Sequence, residues 1–76
     1  MLREYFVVRA MNKQDGSAAT PCEGFDDYNS ALKRFYQIAA DACEKGNISD
    51  TVLLIDLNGE TRQRVVFRNE KEEADE

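Results

Sequence analysis

The chain has no histidine. Without imidazole no Ser-His or Cys-His nucleophile pair can form. Cysteine is almost as scarce. Cys22 and Cys43 have no CxxC partner and no zinc-ligand spacing, and they make no disulfide framework. Reduced thiols in a cytoplasmic protein are therefore the expectation. The four glycines are scattered, and none belongs to a phosphate-cradling motif. No apolar run approaches the roughly 18 residues of a membrane span. The first eleven residues contain Arg3, Glu4 and Arg9 and do not read as a signal peptide. Asp26-Asp27 is a carboxylate pair, but at a helix start such residues cap and complement the dipole. Asp56 and Glu60 lie beside a turn without the spacing of an EF-hand loop. The expectation is a protein that is not an enzyme and uses no cofactor, metal or small molecule.

What is present fits one small domain. A chain of 76 residues buries only about 60% of its unfolded surface, enough for one sheet and one helix. Such a core is expected to supply about 3–5 kcal/mol unless oligomerisation adds more. The net charge of −5 is unevenly placed. Residues 69–76 hold five acids and one lysine, whereas residues 1–68 hold ten acids and nine bases. The division is thus a nearly neutral domain over 1–68 and an acidic tail over 69–76, expected to be disordered and solvating.

Residues 2–11 are β-branched and aromatic at their centre and predict a first strand. Asp15-Gly16 marks a turn. Residues 17–22 predict a short return strand that lies at an edge or breaks at Pro21, which cannot donate to a ladder. Asp26 or Asp27 can cap a helix in which Tyr28, Ala31, Leu32, Phe35, Ile38, Ala39 and Ala42 form one apolar stripe. Tyr36 and Cys43 flank that stripe and read as boundary packing. Gly46 is placed for the left-handed position after the helix. Residues 51–57 and 61–67 are two further strands around Asn58-Gly59, a strong hairpin signal. The fold class is α+β: a small antiparallel sheet in the order ββαββ, or βαββ if the return strand is absent, with one helix on one face.

The hairpin register decides which residues face inward. A two-residue turn would oppose Leu53 to Arg64 and Ile55 to Arg62. A three-residue loop, Leu57-Asn58-Gly59, with Gly59 in the bulge position, opposes Ile55 to Thr61 and Leu53 to Gln63. A one-residue slip exchanges the faces completely. The bulged loop is preferred because it sets Leu53, Ile55, Val65 and Phe67 on one face, to be covered by the helix together with Phe6, Val8 and Ala10.

The opposite face would then carry Val52, Leu54, Arg62, Arg64, Val66 and Arg68, with Arg3, Tyr5, Val7 and Arg9 from the first strand. Five of the six arginines fall there. Arginine, tyrosine and aliphatic side chains on an uncovered sheet resemble an interface composition. Arg3, Tyr5, Arg9, Leu54, Arg62, Arg64, Val66 and Arg68 are the candidate partner-binding residues. The expected function is a non-catalytic protein-interaction module that associates with itself or with a foreign protein. A wet face with arginine stems lying over Val and Leu is the bland counterpart. A single-stranded nucleic-acid binder is the alternative, resting on Tyr5 as a stacking ring. No RNP1-like sequence accompanies it, and a domain charge near −1 leaves little electrostatic footprint.

Three stretches, "YFVVRAMNKQDGS" at 5–17, "GFDDYNSALKRFYQ" at 24–37 and the aliphatic strand and turn near the C-terminus, give a layout that resembles small uncharacterised proteins encoded in prophages and mobile elements of gut Firmicutes. The resemblance covers most of the chain and brings no functional motif. It implies a phage-type inhibitor of a host or defence protein as a further reading.

Overall fold

The structure is a computed structural model that describes residues 2–69. The described residues form β1 (Tyr5–Asn12), β2 (Ala18–Ala19), β3 (Cys22–Phe25), α1 (Tyr28–Lys45), β4 (Ser49–Asp56) and β5 (Thr61–Arg68). Every pairing is antiparallel, in the order β2-β1-β4-β5, with β3 also pairing β1. The helix packs on one face, so the fold is α+β with the ββαββ succession. Its return strand is split. Pro21 interrupts the pairing, although its carbonyl still accepts from Arg9 N–H at 3.0 Å, and pairing resumes as far as Phe25. The expected acidic tail falls at 70–76, outside the described residues; Asn69 is described and exposed.

The helix begins where Asp27, in an extended conformation, accepts from Ser30 N–H at 2.8 Å. This is the side-chain cap that an orphan N–H needs. It ends at Gly46, whose φ of +75° is the left-handed turn that glycine adopts without a Cβ clash. The Gly46 carbonyl accepts from Gln14 and Asn69 side chains. Ala31, Phe35 and Ala42 are buried, and Tyr28, Leu32 and Ile38 pack around them. Tyr36 and Cys43 are exposed instead of bordering the core, because both point away from the sheet side of the stripe.

The β4–β5 hairpin resolves the register question in an unexpected way. Its loop is the three-residue form. Gly59 has φ +83°, Gly59 N–H donates to Asp56 O, and Asp56 N–H donates to Glu60 O. Ile55 opposes Thr61, as the bulged loop predicts. A second irregularity follows at once between Leu54 and Ile55, and Arg62 is the extra residue. Beyond it Leu54 opposes Gln63, Leu53 opposes Arg64 and Val52 opposes Val65, which is the register of a two-residue turn. One bulge sets the register and the next cancels it.

The faces of β1 and β4 are consequently the reverse of the expectation. Val7, Val52 and Leu54 are in the core beneath α1, joined by Tyr5, Val65 and Phe67. Of the residues expected under the helix, only Val65 and Phe67 are there; Phe6, Val8, Ala10, Leu53 and Ile55 lie on the uncovered face. Cys22 pairs with Val8, so it is exposed on that uncovered face and does not face the helix.

Candidate functional site

The uncovered face is built by register. Phe6 lies between Gly24 and Ile55, and Val8 lies between Cys22 and Leu53. Leu53 continues to Arg64, and Thr51 to Val66. Phe6, Val8, Leu53 and Ile55 form one half-buried apolar block across the two central strands. Glycine at position 24 lets the Phe6 ring and the Arg3 stem lie over the edge. A Cβ there would sit 3.3 Å from each, and Arg3 also donates to the Gly24 carbonyl. Arg64, Val66 and Arg68 form one margin, with Val66 48% exposed. No strand position on this face is acidic.

The covered face has the opposite chemistry. Arg9 is 9% exposed and Asp50 only 1%. Arg9 Nε and Nη2 donate to the two Asp50 oxygens at 2.8 and 2.7 Å, a fork-to-fork pair, and Nη1 reaches Asp41 on the helix at 2.9 Å. Asn47 adds a third donor to Asp50, at 3.0 Å. The Arg9 hydrogen bond holds the Asp50 carboxyl below the usual carboxylate range despite its burial, and Asp50 in turn holds the guanidinium charged. At the hairpin end Asp56 accepts from Asn58 N–H, Glu60 N–H and the Arg62 guanidinium. Its carboxyl is likewise lowered, first by the Glu60 N–H. These groups are mutually satisfied and buried or half-exposed in pairs, the pattern of structural ion pairs.

The candidate partner-binding residues therefore separate into two sets. Arg3, Arg64, Val66 and Arg68 are on the uncovered face. Tyr5, Arg9 and Leu54 are on the covered one: Leu54 is buried, Arg9 is paired, and the Tyr5 ring packs edge-on against Tyr28 at 5.4 Å. Arg62, the bulge residue, is turned to Asp56. The four residues at the centre of the face, Phe6, Val8, Leu53 and Ile55, escaped the sequence reading because their uncharged alternation looks like a core. The available signal was the β5 pattern, in which Gln63, Val65 and Phe67 must face the helix. Read with the two-residue register, that pattern brings Val52 and Leu54 inside. Among the described residues no cluster of three or more acidic, thiol or imidazole groups could hold a metal ion, and no helix is long and apolar enough to cross a membrane.

No family model, curated protein or solved structure matches the chain.

Proposed function

We propose that the chain is a non-catalytic interaction module whose uncovered sheet face packs against the same face of a second copy. The observation that carries this reading is the Phe6-Val8-Leu53-Ile55 block, centred on β1 and β4 with no other element over it among the described residues. Sheets bury such blocks by stacking about 10 Å apart with strands nearly aligned. A two-fold axis between the sheets, parallel to the strands, sets β1 over β4 and β5 over β3. The apolar blocks then meet, and the two Arg64 side chains lie at opposite margins, each above the low relief of Cys22 and Gly24. Like charges are kept apart, and a thin single-layer core gains a second side.

The test is solution mass over a dilution series. The wild-type chain is expected at twice its 8.7 kDa and to dissociate on dilution. Leu53→Glu places a carboxylate directly opposite Arg64 of its own chain, so the monomer tolerates it while the block is broken. That variant is expected to be a monomer at every concentration with an unchanged helix signal in circular dichroism. A wild-type monomer, or a dimer that survives Leu53→Glu, defeats the reading. Tyr5, the stacking ring of the nucleic-acid alternative, meets Tyr28 on the covered face, and the aromatic ring on the open face is Phe6.

A further inference from the structure

The two edges of the sheet differ. One is made of β2 and β3, two and four residues long, broken at Pro21. Short strands and proline are the devices that make an edge unusable for further pairing. The other edge is β5, eight residues long and straight beyond its bulge, with no proline or glycine. Asn69 N–H donates inward to Ile48 O at 2.9 Å. By the alternation of an antiparallel ladder, Phe67 and Val65 also bond toward β4, while the N–H and C=O of Val66 and Arg64 point away from it.

We infer that β5 is a strand-addition site for an extended segment alternating carboxylate and aliphatic side chains. The inference adds a second partner surface and does not depend on the face-to-face contact proposed above. Residues opposed in a ladder share a face, so the side chains of the incoming strand are dictated by β5. On the uncovered face they meet Arg64, Val66 and Arg68; on the helix face they meet Gln63, Val65 and Phe67. In the first set Arg64 calls for a carboxylate, and in the second Val65 and Phe67 call for aliphatics. No acid occurs between Thr61 and Asn69, and Arg64 takes part in none of the ion pairs among the described residues. A second copy of β5 would bring further arginines and no carboxylate, which makes it the poorer occupant.

The probe is a seven-residue peptide alternating glutamate and valine, blocked at both ends, titrated into the isotope-labelled full chain. Its lysine–valine counterpart is the control. The glutamate peptide is expected to shift the Arg64 and Val66 amides and slow their exchange with solvent. Val66→Pro removes an N–H that points out of the sheet, so β5 stays paired to β4 while the added strand loses a donor. The expected loss is about tenfold in affinity for one buried hydrogen bond. Val8→Gln, on the uncovered face and two strands away from β5, is expected to leave peptide binding unchanged while weakening face-to-face association. This separates failure of one proposal from failure of the other. Equal binding of the lysine peptide, shifts confined to other elements, or no shift at millimolar peptide overturns the inference. So does line broadening at Arg64 and Val66 that grows with protein concentration alone, which would make the occupant a second copy.

Discussion

The two faces of the sheet invert the usual division between inside and outside. The covered face holds Arg9, Asp50 and Asp56, three ionised side chains, beside Val7, Val52 and Leu54. The uncovered face holds Phe6, Val8, Leu53 and Ile55 with no acid at any strand position. Charge is admitted beneath the helix because each carboxylate there meets a guanidinium and further N–H donors. A buried ion pair roughly balances its own desolvation, so such a face can be inside without being strongly stabilised by its charges. The lesson is that apolar alternation in the outer set does not by itself mark the core. A face reserved for a second layer carries the same signature.

If that contrast is right, substitutions on the covered face change stability at any concentration, and those on the open face act only through association. The largest effect is expected for Phe35→Ala, which empties the centre of the helix contact at a cost of about 3–5 kcal/mol, as much as the whole core is expected to supply, so the variant should lose its helix signal and show no cooperative urea transition. Asp50→Ala leaves Arg9 with Asp41 alone and should cost about 3 kcal/mol, the low end for one half of a buried pair. Replacing both partners, Arg9→Met with Asp50→Leu, should recover most of that loss, since neither charge is then left buried alone. Gly59→Ala forces a Cβ into a φ of +83° and should cost about 1 kcal/mol without changing mass.

Acid should sharpen the same contrast. Asp50 and Asp56 are held below the ordinary carboxylate value in the fold, Asp50 chiefly by Arg9 and Asp56 chiefly by the Glu60 N–H. The unfolded chain therefore takes up protons first as the pH falls. Their contribution is full above about pH 5 and declines as the pH drops through about 4 toward the depressed folded values. Asp50→Asn should lower stability at neutral pH and flatten this acid limb in a series of urea midpoints. The smallest intrinsic change is expected for Leu53→Glu. Its urea midpoint should match that of the dilute wild-type chain and, unlike the wild type, should not rise with protein concentration.

Much of this architecture is legible in the sequence because it rests on local chemistry. Asp27 and Gly46 bound the helix, the Ala31-Phe35-Ala42 stripe sets its inner side, and Pro21 breaks the edge strand, each by a rule confined to a few residues. Asn58-Gly59 likewise foretells a turn, whereas its three-residue form follows only from an apolar-face argument whose faces the second bulge overturns. The site was not legible to the same extent, because it depends on parity carried along a strand. The bulge at Arg62 has no glycine or proline to announce it. Its stabilisation comes from the Asp56 carboxylate, which accepts from the turn N–H groups and holds the Arg62 guanidinium. One unannounced residue moved Leu54, Tyr5 and Arg9 inward and moved Leu53, Phe6 and Val8 outward. Arg64 and Arg68 kept their place, since Val65 and Phe67 pin that part of the strand, whereas Arg62 at the bulge turned to Asp56.

The most direct test of the open face is an isotope-filtered nuclear Overhauser measurement on a mixture of labelled and unlabelled full-length chains. Stacking through this face predicts intermolecular cross-peaks from the Phe6 ring to the Val8, Leu53 and Ile55 methyl groups of the other copy. Their absence, or intermolecular peaks at the solvent side of α1 instead, would contradict the account.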